Sequence, residues 1–176
     1  MREADVARRV PVDWDDLEMA LTMHMDEWAC YLDLRTGHVH MVHVDSFAGE
    51  SVEGEDDELS GEDVDAGLAA GDLVPVEPLP SSEEYGWMVE FAASVSEPRL
   101  RDLLEVALDG RGAFRRFKNV LGDAPEERAR WFAFRDGRVR EAMQEWLEDH
   151  DIEPTTVRRE RASDLSHLPS SGEGEE

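Results

Sequence analysis

Two glycines within three residues interrupt the most helix-rich part of the sequence. Gly110 and Gly112 lie in the run 108–118, which connects one stretch of helical periodicity to another. Glycine weakens a helix interior and readily adopts the left-handed backbone angles found at helix ends. One helix therefore cannot continue through this run, and the second half of the chain is predicted to fold as several helices that pack together.

Start and stop signals divide the chain after residue 80 into four predicted helices. They open near Ser81, Pro98, Gly112 and Pro125. Ser81 and Glu84 have the spacing of a capping box, and proline is favoured in a first helical turn. Gly137 lies inside the last helix and costs about 1 kcal/mol relative to alanine, so a break there is an alternative to one continuous helix.

The N-terminal part of the chain begins with a helical pattern. Asp13 has the position of an N-cap, and Val12 and Leu17 have the spacing of a hydrophobic staple. Apolar residues then follow at helical spacing, which predicts a helix that runs from Asp13 to about Asp26.

A β-hairpin is predicted from Trp28 to Val44, because apolar and polar residues alternate on both sides of Thr36-Gly37. A two-residue loop there gives these cross-strand pairs: Arg35 with His38, Asp33 with His40, and Cys30 with His43. The turn signal is weaker than Asn-Gly, and a slip of one residue would change every pair. Both registers stay open at this stage.

A strongly acidic segment lies between the two halves. Residues 45–66 contain ten Asp or Glu and no Lys or Arg. Such a composition cannot bury enough apolar surface to offset the entropy of ordering, so a mobile loop is predicted. A short helical turn at 64–70 and a strand at 73–76 follow. Pro75 cannot donate to a sheet, which confines that strand to an edge.

Together these elements predict an α+β fold. The N-terminal helix and β-hairpin, with a short third edge strand, pack on a four-helix C-terminal half. Residues 12–154 are predicted to form a single domain. Residues 1–11 are predicted to be a flexible leader and residues 155–176 a disordered acidic tail.

The chain carries a net charge of −25, from 43 acids against 18 Lys and Arg. A surface this acidic repels itself, and salt screens the repulsion, so a salt-loving host is one explanation. No run approaches the roughly 18 apolar residues of a membrane span, and the N-terminus lacks an apolar signal segment. A cytoplasmic protein without a membrane partner is predicted. Cys30 is the only cysteine, so no internal disulfide is available.

Basic residues are concentrated in one segment of this acidic chain. Residues 99–140 contain eleven Lys or Arg and seven acids. The candidate binding residues are Arg111, Arg115, Arg116 and Lys118. One hypothesis is a surface that binds an anion, a nucleic acid or an acidic partner. The other is that these cations pair with the protein's own acids and are solvated elsewhere. The global negative charge, which repels a phosphate backbone, favours this second hypothesis.

Two further groups of residues are candidate sites. Cys30 beside His43 could form an activated thiolate, but no third orienting group is evident. His38 and His40, with His24 or a carboxylate, have weak metal-ligand spacing. No nucleophile elbow, phosphate loop, dinucleotide fingerprint or zinc-protease motif occurs. The sequence therefore predicts no catalytic residue, no metal and no cofactor.

Several of these residues resemble a family signature. The run Leu108-Asp109-Gly110-Arg111-Gly112-Ala113-Phe114-Arg115-Arg116-Phe117-Lys118, then Trp131 with Phe134 and Trp146-Leu147, resembles a bacterial uncharacterised protein family. The likeness covers roughly residues 12–153, including the helix that opens at Asp13. The family has no assigned activity, so the resemblance implies a single α+β domain and supplies no catalytic residue.

The function predicted from these observations is a non-catalytic interaction or regulatory protein of the bacterial cytoplasm, with the 99–140 surface as its binding face and an unknown protein as its partner. A nucleic-acid-linked role is the alternative. In that case either the basic face binds nucleic acid directly or the acidic surface imitates DNA. A thiol enzyme built on Cys30 and His43 is a third hypothesis. The oligomeric state is left open.

Overall fold

A computed structural model of the protein describes residues 7–44 and 59–158. Eleven elements follow in chain order, and their bounds are β1 Arg8–Val10, α1 Trp14–Thr22, β2 Trp28–Asp33, β3 Val39–His43, α2 Gly61–Ala70, β4 Leu73–Val76, α3 Ser81–Ser94, α4 Pro98–Leu108, α5 Ala113–Gly122, α6 Pro125–Asp149 and β5 Ile152–Pro154. The fold is α+β: an N-terminal helix and a β-hairpin accompany a helical second half.

Helix α1 begins where the sequence predicts. The Oδ1 atom of Asp13 accepts hydrogen bonds from the backbone N–H groups of Asp15 and Asp16 at 3.0 and 3.1 Å, so the predicted N-cap is confirmed. Val12 and Leu17 are both buried. The helix ends at Thr22, which is one turn earlier than the predicted end near Asp26.

The hairpin forms, but its predicted register is wrong by two residues. Cys30 lies opposite Met41 rather than His43, and Tyr31 lies opposite His40. The cause is a longer turn. The Oδ1 atom of Asp33 accepts a hydrogen bond from the N–H of Arg35 at 2.7 Å, which replaces the two-residue loop with a wider one.

The end of this turn is fixed by a close approach of the backbone. Gly37 has φ of +79°, and a Cβ atom there would lie 2.0 Å from the carbonyl oxygen of Pro11. Only glycine fits this position, and the contact ties the hairpin turn to the segment that precedes α1.

Strand β2 is the centre of a three-stranded antiparallel sheet with the order β3-β2-β4. Pro75 lies in β4 at the edge of this sheet, opposite Tyr31, as its missing N–H requires.

The predicted mobile loop at 45–66 is wrong for residues 61–66, which are helical and belong to α2. Ser60 and Asp63 form the capping box of this helix. Residues 45–58 of that predicted loop lie outside the described residues.

A second, two-stranded sheet shows that the predicted flexible leader and disordered tail are wrong at the ends that adjoin the domain. Strands β1 and β5 pair in parallel, with Val10 opposite Pro154 and fully buried. The N–H of Thr155 donates to the carbonyl of Val10 at 2.8 Å, and the hydroxyl of Thr156 donates to the carbonyl of Val12. The chain is therefore ordered at residues 8–11 and 155–158, while 1–6 and 159–176 lie outside the described residues.

Helices α3 to α6 share one core. Its buried members are Met88, Phe91, Ala92, Val95, Leu104, Leu108, Ala113, Phe117, Leu121 and Trp131. Helix α3 is capped by Pro80 without a side-chain hydrogen bond, so the predicted capping box of Ser81 and Glu84 is wrong. Helix α6 continues through Gly137 without a break.

Helix α6 also joins this core to the other one. Val139, Met143 and Leu147 in its C-terminal half are buried against α1, β2, β4 and the β1–β5 pair. The helix therefore spans both halves of the molecule, and its first turns lie beside α5. Among the described residues, no helix combines the length and apolarity needed to cross a bilayer.

Candidate binding face on helix α5

Helix α5 has one packed side and one exposed side. Ala113, Phe117 and Leu121 are buried in the shared core, and the ring of Phe117 lies 5.0 Å from that of Trp131. The helix follows Gly110 and Gly112, whose φ angles are +76° and +75°. These two left-handed residues turn the chain sharply after α4, so that α5 starts with its apolar side already facing the core.

The arginines of α6 in the segment 99–140 are mostly paired with acids. The ion pairs are Arg130 with Glu127, Arg135 with Glu84, Arg138 with Glu90 and Glu141, and Arg140 with Asp136. Two of the partners, Glu84 and Glu90, lie on α3, so these contacts hold α6 against α3. This part of the predicted surface serves the fold.

Arg116 also has a structural role. Its Nε donates to the carbonyl oxygen of Ala107 at 3.1 Å, and its Nη2 donates to the carbonyl of Asp109. These carbonyls lie at the C-terminal end of α4, where backbone oxygens lack helical partners and a cation is favourable. Arg116 therefore closes α4 rather than facing an external ligand.

The other three candidates are exposed and unpaired in the part of the chain that the structure describes. No carboxylate of those residues lies within ion-pair distance of Arg111, Arg115 or Lys118. Arg115 lies one turn before Lys118 and Asn119 on the same stripe of the helix. We define the basic face as Arg115 and Lys118, with Arg111 in the preceding glycine turn.

The basic face adjoins a cleft between α5 and the start of α6. The cleft has a volume of about 510 Å³, and its lining includes Lys118, Asn119, Arg128, Trp131 and Phe132. None of the described residues that line it is acidic. Phe132 is 55% exposed although its ring is large and apolar. We call this cavity the α5–α6 cleft.

Arg128 and Phe132 lie one turn apart on α6 and contact each other. The guanidinium carbon of Arg128 is 5.7 Å from the ring centroid of Phe132, a cation–π geometry. Like the cations of the basic face, Arg128 has no carboxylate partner among the described residues. The cleft therefore offers cations, an amide and an exposed aromatic ring, which together suit an anionic ligand that also has an apolar part.

Arg128 and Phe132 are not among the binding residues predicted from the sequence. A signal was present, because Phe132 lies outside the buried stripe of α6 that contains Trp131. The signal is a large aromatic residue on the exposed side of the helix, four residues after an arginine.

A model of an uncharacterised protein family, UPF0158, matches residues 10–169. The chain belongs to this family. A relative, the UPF0158 protein PA5073 of Pseudomonas aeruginosa, is 32% identical over 166 residues, which cover 94% of this chain and 97% of that protein. The resemblance predicted for residues 12–153 is confirmed, and the match extends beyond it at both ends. No solved structure matches this chain. Neither name states an activity.

The pairing expected for a thiol enzyme is absent from the hairpin. Met41 rather than His43 faces Cys30, and the ring of His43 packs edge-on against Trp28 at 5.1 Å. Burial raises the pKa of the Cys30 thiol, which is opposite to the shift that activates a nucleophile. The contact on which this hypothesis depended does not form.

The histidines of the hairpin are held by carboxylates. The Nδ1 atom of His38 lies 3.1 Å from Asp16 Oδ2 and 3.7 Å from Asp13 Oδ2, and the Nε2 atom of His40 lies 3.7 Å from Asp33 Oδ2. The ligand atoms of Asp13, Asp16 and His38 lie within 4.8 Å of one another. Both aspartates accept hydrogen bonds from backbone N–H groups near the positive end of α1, which explains their position and disfavours a cation there.

A second cavity of about 520 Å³ lies between the C-terminal half of α6 and the segment that follows β5. It also contains cations, Arg140 and Arg158, but both contact Asp136, at 3.2 and 2.7 Å. Arg158 further contacts Glu18, and Glu148 lines the cavity. Its positive charge is therefore neutralised locally, unlike that of the α5–α6 cleft.

Proposed function

We propose that the protein is a non-catalytic interaction or regulatory protein of the bacterial cytoplasm, and that its partner binds the basic face and the adjoining α5–α6 cleft. One observation carries this proposal. Arg115, Lys118 and Arg128 are cations without carboxylate partners among the described residues, in a chain whose net charge is −25. In a chain so rich in acids, unpaired neighbouring cations are best explained by an external acidic partner.

Several other features support a binding role rather than catalysis. Within residues 7–44 and 59–158, the lining of the cleft includes no carboxylate, histidine or cysteine that could act as an acid, base or nucleophile. Its cations and amide donate hydrogen bonds, and donors arranged around an apolar ring are typical of recognition surfaces. The single cysteine fits a reducing compartment, where disulfides are rare.

Direct binding of nucleic acid is the second candidate, and the exposed ring of Phe132 beside Lys118 and Arg128 favours it. Single-stranded nucleic acid binds surfaces that combine cations with aromatic rings on which bases stack. Affinity of this kind falls steeply with salt concentration, because each phosphate contact releases a counterion. An acidic partner with few charges predicts a shallower dependence.

The test is affinity capture from a lysate of the host at its own salt concentration, with captured proteins and nucleic acids both identified. Lys118→Glu is compared with the wild-type chain and with Arg9→Glu, a matched charge reversal at an exposed residue of β1. Arg116 is left unchanged because it bonds the end of α4.

We expect Lys118→Glu to lose at least one protein partner that the wild-type chain and Arg9→Glu both retain. Identical partners for all three proteins would contradict the proposal, and they would favour a partner of the acidic surface, as imitation of DNA requires. Loss of nucleic acid alone would establish the second candidate in its place.

A further inference from the structure

We propose that the α5–α6 cleft binds a short acidic segment of a protein, with one aromatic side chain of that segment inserted beside Phe132 and its carboxylates held by Lys118, Arg128 and Arg115. This inference rests on the proposed function and specifies the chemistry of the partner at the same site.

The floor of the cleft accepts an apolar side chain. Leu121 and Trp131, which line it, are 1% and 2% exposed and fixed in the core, so the floor is rigid. Phe132 forms the wall, with about half of its surface open to solvent. A volume of about 510 Å³ lies within the roughly 300–1,000 Å³ range of sites that enclose a ligand. An inserted aromatic ring would remove the exposed part of Phe132 from water.

The rim of the cleft accepts carboxylates. Lys118 and Arg128 line it on two different helices, and Asn119 adds an amide N–H to the same lining. Hydrogen bonds from charged donors to carboxylates are about twice as strong as those between neutral groups. Because no acidic residue in the described part of the chain lines the cleft, the donors of each cation are available for an incoming group.

The positive charge continues past the mouth of the cleft. Arg115 lies one turn before Lys118 along α5 and outside the cavity, and Arg111 precedes it in the glycine turn. One small carboxylate compound would engage only the rim. A segment with several carboxylates on either side of an aromatic anchor uses both the rim and this extension, so the surface fits a peptide better than a metabolite.

The same surface suits a peptide better than a nucleic acid, for two reasons. The net charge of −25 repels a polymer of closely spaced phosphates more than a segment with a few carboxylates. In addition, Arg128 covers one face of the Phe132 ring at 5.7 Å, so a base that stacks on that face must first displace the guanidinium. A side chain that packs against the ring edge needs no such displacement.

The experiment is a titration of the isotopically labelled full chain, followed by the backbone amide signals of residues 118–132. The probe is a capped pentapeptide with a central phenylalanine flanked by two glutamates on each side. Matched peptides replace the phenylalanine with alanine or all glutamates with glutamine, and a twelve-nucleotide strand of thymidine is the nucleic-acid probe.

We expect the acidic phenylalanine peptide to cause saturable shifts at Asn119, Gly122 and Phe132. The alanine peptide, the glutamine peptide and the variant Phe132→Ala should each raise the dissociation constant about tenfold or more. Arg115→Glu lies outside the cleft and should raise it less than Lys118→Glu does, while Arg9→Glu should leave it within about twofold. Thermal unfolding of each variant establishes that it is folded.

The proposal is overturned if the acidic peptide causes no saturable shift in the cleft, or if the alanine peptide binds equally well. Saturable binding of the thymidine strand at these amides in preference to the peptide would overturn it in favour of nucleic acid.

Failure of the acidic-peptide inference is distinguishable from failure of the proposed function. Capture of a partner that depends on Lys118, without peptide binding, removes only this inference. Peptide binding without any partner that depends on Lys118 removes the proposed function instead.

Discussion

Helices α5 and α6 both carry several cations, but among the described residues acids neutralise most of those of α6 and none of those of α5. Arg135 and Arg138 of α6 reach Glu84 and Glu90 on α3, which packs alongside. Helix α5 contains no acid of its own, and the end of α4 presents to Arg116 only backbone carbonyls. A cation of these helices is therefore paired where its own helix or the neighbouring helix supplies an acid.

This difference explains how one segment can satisfy both hypotheses drawn from its charge. Pairing with internal acids describes Arg130, Arg135, Arg138 and Arg140 of α6. An external anionic partner is the hypothesis for the unpaired cations of α5 and for Arg128. Lys118 and Arg128 lie where the two helices meet, at the edge of the paired region. Substitution of a buried residue, of a hydrogen-bonded cation or of an unpaired cation on these helices should change the unfolding free energy by different amounts.

The largest effect is expected from Phe117→Ala, which removes the buried anchor of α5. Phe117 is fully buried, and its ring lies 5.0 Å from that of Trp131 and 6.2 Å from that of Phe91. Truncation of a buried phenylalanine costs about 3–5 kcal/mol. Chemical denaturation of the full chain should show a loss of unfolding free energy of this size.

The matched control is Lys118→Ala, on the exposed side of the same helix. It removes no contact with a described carboxylate, so its effect on the unfolding free energy should stay within about 0.5 kcal/mol. An equal loss for both variants would show that the division of α5 into packed and exposed sides is wrong.

The next effect in size is expected from Arg116→Ala. The guanidinium donates to carbonyls of Ala107 and Asp109 that would otherwise lack partners at the end of α4. Hydrogen bonds that involve a charged group contribute about 1.5–3 kcal/mol when well shielded, and exposure of this residue lowers the expected loss to about 1–2 kcal/mol. Denaturation midpoints at constant slope measure it.

Arg115→Ala, one residue away, tests whether the difference is due to these bonds. It should change stability by less than about 0.5 kcal/mol, because Arg115 has no partner among the described residues. If the two alanine variants lose the same stability, Arg116 does not act as a cap and returns to the set of binding candidates.

A smaller effect is expected for the contact between Arg135 and Glu84, which joins α6 to α3. The Nε–Oε1 distance is 2.9 Å, and both side chains are about one quarter exposed. A double-mutant cycle with Arg135→Met and Glu84→Gln should give a coupling energy of about 0.5–1 kcal/mol. The same cycle with Arg115→Met in place of Arg135→Met should give none, and a comparable value would contradict the separation of the two cation sets.

Much of the fold is encoded in local signals. The N-cap at Asp13, the edge position of Pro75 and the helix boundaries at Pro98 and Gly122 all follow from the conformational limits of single residues. The β1–β5 pair could not be predicted in this way. Its strands have three residues each and meet across almost the whole chain, so no local pattern announces them.

For the candidate site, the sequence indicates some members and not their contacts. Clustered charge indicated Arg115 and Lys118, but the sequence does not show that Arg116 meets free carbonyls at the end of another helix. The hairpin register failed similarly, because it depends on which backbone group the side chain of Asp33 accepts from. A contact between a side chain and a backbone group of another element, such as that of Arg116, is determined by the fold and leaves no periodic trace in the sequence.

The difference between hydrogen-bonded and solvated charged groups also applies to the acidic residues. Burial opposes ionisation of Asp33, but hydrogen bonds from the N–H groups of Arg35 and Thr36, with the positive charges of Arg35 and His40, outweigh it. Together they lower the pKa of the Asp33 carboxyl from its ordinary 3.8. A lowered folded-state pKa stabilises the fold above the unfolded value, and the contribution is lost as the pH falls through the folded value.

The smallest predicted effect is therefore a pH dependence that Asp33→Asn removes. The difference in unfolding free energy between the wild-type chain and Asp33→Asn should shrink as the pH falls from about 5 towards 2, with most of the change below the ordinary 3.8. It is small because burial cancels part of the gain from the hydrogen bonds.

Glu105→Gln, at an exposed acid of α4, is the control. Neutralising Glu105 removes self-repulsion from a chain of net charge −25, so this variant should be equal to or more stable than the wild-type chain near neutral pH. If Glu105→Gln and Asp33→Asn follow the same pH profile, the bonded carboxylate behaves like the solvated ones, and the distinction between engaged and free charges does not extend to the hairpin.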